Sequence, residues 1–130
     1  MFHTALTSAD LIFLAKGAGM TILVTAISVF IGTLLGIVFG VLRGQLGPIW
    51  FAPVTFVLDI FRSVPLLIQL VLANACVGMV LRLHISGLTV ACMVLSLYTA
   101  AYCTEIVRGG IHAVPATTRR AARSLGMSWL

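Results

Sequence analysis

Between Lys16 and Arg43 the chain carries no charged residue. As a helix rising about 1.5 Å per residue, the uncharged run from Gly17 to Leu42 covers about 39 Å, more than a hydrocarbon core of about 30 Å. It is too long for a signal-peptide core and lacks a basic start followed by a small-residue cleavage site, so it reads as a retained, tilted membrane span. Composition agrees: 61% of residues are hydrophobic and only 8% charged, against about a quarter charged in soluble domains. At 130 residues the chain is one domain at most.

Two further spans follow from where charge is tolerated. Asp59 and Arg62 would each cost about 3 kcal/mol at the bilayer centre, so the second hydrocarbon stretch begins after Arg62. Residues 63–81 are then just long enough, with Ser63 as a cap and Pro65 in the first turn. Residues 50 to 61 form either an interfacial helix or an earlier, kinked part of the same helix, on which Asp59 and Arg62 can pair. The third span covers 83–104, between Arg82 and Glu105. An N-terminus outside and a C-terminus in the cytoplasm place Arg43, Arg62, Arg108, Arg119, Arg120 and Arg123 inside, leaving only Lys16 and Arg82 outside; this is the orientation that cytoplasmic positive charge selects. The expectation is an all-α membrane protein with three transmembrane helices and a short cytoplasmic coupling helix within residues 108–128.

The net charge of +5 raises nucleic-acid binding, but the arginines gather beside spans rather than over a polar face, which excludes it. Cys76, Cys92 and Cys103 lack C-x-x-C spacing and read as small buried hydrophobes. The histidines are scattered singly, and no metal, cofactor or catalytic constellation is expected. The chain is not read as an enzyme.

Within the first span Ser28, Gly32, Gly36, Gly40 and Gly44 recur every four residues. Such a row leaves one face almost without side chains, so another backbone can approach closely. The partner is either the second or third span, or another subunit. On the third span Tyr98, Tyr102 and Glu105 share a face, and Glu105 can pair with Arg108 one turn on. These residues are an interfacial anchor with packing tyrosines, or they line a translocation path or gate. Gln69 and Asn74 pose the same choice between interhelical hydrogen bonds and substrate contact.

After the third span, Gly109 and Gly110 are expected to turn the chain sharply. Pro115 suits the opening of a new helix, the run from Arg119 to Leu125 consists of good helix formers, and Gly126 is a natural stop. Ala121, Ala122 and Leu125 form a small-residue face fit to insert into a shallow groove. A lipid-adhering basic helix would want bulkier apolar residues, and only Trp129 and Leu130 supply them.

These motifs resemble the inner-membrane permease subunits of bacterial ABC importers for polar amino acids. The resemblance runs nearly end to end: Leu14 to Thr21 with the glycine row and Arg43; Phe61-Arg62-Ser63-Val64-Pro65-Leu66-Leu67-Ile68-Gln69-Leu70; and Ala101 to Gly126, similar to the family's EAA loop. It implies a pore half that pairs with an identical or sister permease. A separate ABC ATPase would dock on the loop, and an extracytoplasmic amino-acid-binding protein would deliver substrate. Arg120 stands where the family carries glutamate, and Thr117-Thr118 where it carries Gly-Gln. The family continues with two more spans, so the resemblance also implies a portion of a longer permease. The competing expectations are a self-oligomerising small membrane protein and a non-transporting truncated product.

Overall fold

A computed structural model describes residues 8–45, 48–82 and 84–127. Leu83, Trp129 and Leu130, all used in the sequence reading, lie outside them. Among the described residues every regular element is helical: α1 (Ser8–Gln45), α2 (Pro48–Ser63), α3 (Leu66–Ala75) with a π-helical turn (Cys76–Val80), α4 (Gly87–Ala113) and α5 (Ala116–Ser124). Two are long and apolar enough to cross a membrane, α1 and α4.

The dominant packing joins α1 to α4 along the glycine row. A Cβ added at Gly32 would lie 2.5 Å from Thr99 Cβ, one at Gly36 would lie 2.4 Å from Cys103 Cβ, and one at Gly40 would lie 2.7 Å from Val107 Cβ. Ser28 Oγ donates across the same seam to the Cys92 carbonyl at 3.4 Å. Contacts advance in the same direction on both helices, from Ser28–Cys92 to Gly44–Ile111, so α1 and α4 run parallel. Of the partners open to the row, the structure selects α4.

Hydroxyls inside this pair are satisfied locally. Ser96, Thr99 and Thr104 each donate to the carbonyl four residues back, at 2.7, 2.8 and 2.7 Å, which removes the cost of burying them. The cysteines depart from the buried reading: Cys76 is exposed and Cys92 and Cys103 are half-buried. On a bilayer-facing surface a small thiol has no water to avoid, so burial is not required of it.

Because α1 and α4 are parallel, the chain must return between them, and α2 and α3 make that return. They are bent by 110°, which sets α2 nearly perpendicular to α3. After the break the helix opens at Leu66. Ser63 does not cap α3; it ends α2, and its hydroxyl donates to the Asp59 carbonyl at 2.8 Å. Pro65 takes the N-cap position of α3, because a proline has no N–H to continue α2 and disfavours helical backbone at the residue before it.

A second correction concerns Gly109 and Gly110, which do not turn the chain. The helix of the third span starts at Gly87, capped by Ser86, whose side chain accepts from the Thr89 N–H at 3.2 Å, and runs on beyond Thr104 through both glycines to Ala113. Each glycine costs about 1 kcal/mol relative to alanine in a helix, too little to outweigh a continuing packed face. That face is present, since Val107 and Ile111 still lie against Gly40 and Gly44. The helix ends where Pro115 removes the next donor and leaves Val114 extended, at ψ 116°.

Candidate functional site

The expected Glu105–Arg108 pair forms, with Arg108 Nε and Nη2 each 2.9 Å from Glu105 Oε2. So does the expected Asp59–Arg62 pair, at 3.3 Å. The structure adds two partners that local spacing does not give. Arg43, in the last turn of α1, pairs with Glu105 Oε1. Arg62, in the last turn of α2, lies 3.6 Å from the same oxygen. One carboxylate thus gathers arginines from three helices.

Glu105 is only 21% exposed, so its pairings are screened less than those of a surface bridge. The Arg62 guanidinium also lies 5.8 Å from the centre of the Tyr102 ring, within cation–π range. The Tyr98 and Tyr102 rings meet tilted by 52° with centroids 4.8 Å apart, and the Tyr98 hydroxyl donates to the Tyr102 hydroxyl at 3.3 Å. Tyr98, Tyr102, Glu105 and Arg108 therefore form one continuous polar stripe on α4. Its signal in the sequence was a lone glutamate on the side of the membrane where Arg43, Arg62 and Arg108 also fall.

Gln69 has a structural task. Its Nε2 donates to the Phe61 and Val64 carbonyls, each at 2.6 Å. In an unbroken helix the Phe61 carbonyl would accept from residue 65, which is proline and has no N–H. Gln69 replaces that donor and fastens α3 to the end of α2. It also forms part of the wall of an otherwise apolar cavity of about 390 Å³ between α2, α3 and α4, with Phe61, Leu72 and Val94. Asn74 stands apart, its Nδ2 3.7 Å from a Cβ built at Gly87, at the far end of α4. The polar residues grouped as a pathway thus occupy three places: a stripe, a cap and an isolated amide.

The basic tail is a separate surface. No residue of α5 is buried, and Ala116, Arg119, Arg120 and Arg123 share one face around a shallow cavity of about 210 Å³. Ala121 is exposed and Ala122 half-buried. The helix ends in a Schellman motif: the Met127 N–H bonds the Ala122 carbonyl at 3.2 Å and the Gly126 N–H bonds the Arg123 carbonyl at 3.0 Å. Gly126 takes φ +82°, the left-handed conformation this stop requires. The motif leaves Leu125 82% exposed.

A family model described as the binding-protein-dependent transport system inner membrane component matches residues 32–130, the glycine row, the ion cluster and the basic tail included. The chain belongs to this family. Among curated relatives, it is 34% identical over 119 residues to the arginine transport system permease protein ArtQ of Bacillus subtilis, covering 90% of this chain and 53% of the relative. It is 33% identical over 126 residues to the glutamate/aspartate import permease protein GltK of Escherichia coli O157:H7, covering 89% and 55%. It is 30% identical over 129 residues to the probable amino-acid ABC transporter permease protein YckA of Bacillus subtilis, covering 99% and 57%. The chain spans about half the length of these relatives. No solved structure matches it. With its apolar helices, membership makes it a multi-pass inner-membrane component related to amino-acid ABC importer permeases.

Proposed function

We propose that this chain forms part of the translocation unit of an ATP-driven amino-acid uptake system and offers α5 to a separate ATPase. The carrying observation is α5 itself: a helix without buried residues, with three arginines on one face and Leu125 fully presented at its end. In this reading α2 and α3 count as one broken crossing, giving three spans with the N-terminus outside and α5 in the cytoplasm. A second permease subunit and an extracytoplasmic amino-acid-binding protein complete the system. Glu105 and its arginines act as a gate-side brace where α1, α2 and α4 meet. Oligomerisation through the glycine row is not favoured, because α4 already occupies that face.

A cysteine at Ala121 is expected to crosslink to the ATPase of an amino-acid importer when the remaining importer subunits are supplied. Arg120→Glu is expected to raise the yield, restoring the charge the family carries there. Absence of any crosslink, or labelling of residues 119–126 from the periplasmic side, overturns the reading.

A further inference from the structure

Where α1 ends against α2, a cavity of about 330 Å³ is lined by Arg43, Phe51, Ala52, Thr55, Phe56 and Asp59. Three of its lining residues are polar and two of those carry opposite charges, while the other three are apolar. We propose that this cavity holds a phospholipid headgroup, one that joins a phosphate to a primary ammonium.

Each part of such a headgroup has a partner of matching chemistry. A guanidinium carries five N–H donors, and Glu105 is bonded to Arg43 through Nη1, so further donors remain for a phosphate oxygen. Asp59 is paired with Arg62 through Oδ1, and with its side chain 54% exposed it offers Oδ2 to an ammonium. Thr55, one turn before Asp59 on α2, adds a hydroxyl for a phosphate or ester oxygen. Phe56 is 68% exposed and stands beside these polar groups, a placement that suits the start of an acyl chain and not a ligand arriving from water.

Arg43 is the first charge after the uncharged run of α1, and a charge that closes such a run sits at the border of the hydrocarbon, where headgroups lie. The Asp59 carboxylate sets the selectivity: a glycerol headgroup brings it a hydroxyl, and a choline headgroup brings it a cation without N–H donors.

The test is phospholipid retention by the intact chain, extracted in mild detergent from vesicles of equal phosphatidylethanolamine, phosphatidylglycerol and phosphatidylcholine, and read by native mass spectrometry. The ethanolamine lipid is expected to be retained about fivefold over the choline lipid, the scale of one partly exposed ion pair. Asp59→Asn should lower the ratio of ethanolamine to glycerol lipid by a similar factor while helicity is unchanged. Soluble phosphoethanolamine in excess should not displace the lipid; displacement would identify a free phosphate site and overturn the lipid assignment. Equal retention of all three lipids by the unaltered chain, or an Asp59→Asn ratio equal to it, also overturns the proposal. The unaltered chain alone decides the first comparison, so a poorly folding variant does not remove the test.

Discussion

Replacing Gly32 with alanine tests whether the glycine row is a contact surface or merely a row of tolerated small residues. The added methyl would stand 2.5 Å from Thr99 Cβ and 2.6 Å from the Ser96 carbonyl oxygen. Neither neighbour is the mobile end of a side chain. Carbon atoms pack at about 3.5–4.0 Å, so the helices must part locally by about 1 Å. Overpacking of this kind costs about 1–3 kcal/mol, while alanine regains about 1 kcal/mol of helix propensity; the net expectation is about 0–2 kcal/mol of destabilisation. Gly17→Ala supplies the opposite case, since nothing lies within 4 Å of a Cβ there, and it should gain up to about 1 kcal/mol. Cys103 is a suitable reporter. It is half-buried on the seam, with Sγ 3.8 Å from the Thr33 carbonyl. With Cys76 and Cys92 replaced by alanine, its maleimide labelling rate in detergent follows α1–α4 opening, about tenfold for each 1.4 kcal/mol. Faster labelling in Gly32→Ala and slower or equal labelling in Gly17→Ala is expected. Equal rates in the two variants would refute close backbone approach as the basis of this packing.

Three more outcomes follow from the polar groups and the terminal glycine. Glu105→Gln leaves three guanidiniums facing one another without their shared carboxylate; at one-fifth exposure this should cost about 1–3 kcal/mol, read as a lower thermal midpoint in detergent. Gln69→Leu strips the Phe61 and Val64 carbonyls of their donor and should cost about 1–3 kcal/mol, with faster hydrogen exchange at the Val64 amide. Gly126→Ala forces a side chain into φ +82°, and the loss of about 1 kcal/mol should appear as faster exchange of the Met127 amide with α4 unaffected.

What was legible in the sequence was whatever repeats within one helix. The four-residue glycine spacing announced a close helix contact, and i, i+3 spacing gave both Glu105–Arg108 and Asp59–Arg62. Gly126 was readable because a left-handed stop has few alternatives. What joins different helices was not: Arg43 and Arg62 reach Glu105 from far along the chain, and only their shared side of the membrane hinted at it. One local reading failed and one stayed open, for one reason. Proline at the opening of one helix and paired glycines near the end of another each permit several backbones, and packing decides among them. At Pro65 the new helix opens as expected, and the chain bends there by 110°. At Gly109 and Gly110 the seam with α1 continued, and the helix survived.

That second outcome changes the mechanics of the molecule. If the glycines were a turn, α5 would hang from a hinge placed just after Glu105, and motion of α5 would be absorbed before reaching the ion cluster. As one helix, α4 carries Glu105 and Arg108 on the same rod that ends at Ala113, next to Pro115 and α5. From Glu105 to Ala113 the rod is about 12 Å long at about 1.5 Å per residue, short enough to tilt as a unit. Its far part is held by α1 through Gly40 and Gly44, and the cluster ties that same part to α2. A displacement at α5 therefore bears first on the joint at Val114, and past that joint on a rigid rod whose nearest attachments are the arginines of α1 and α2. That joint is Val114 and Pro115, where the extended backbone before a proline is itself narrowly restricted.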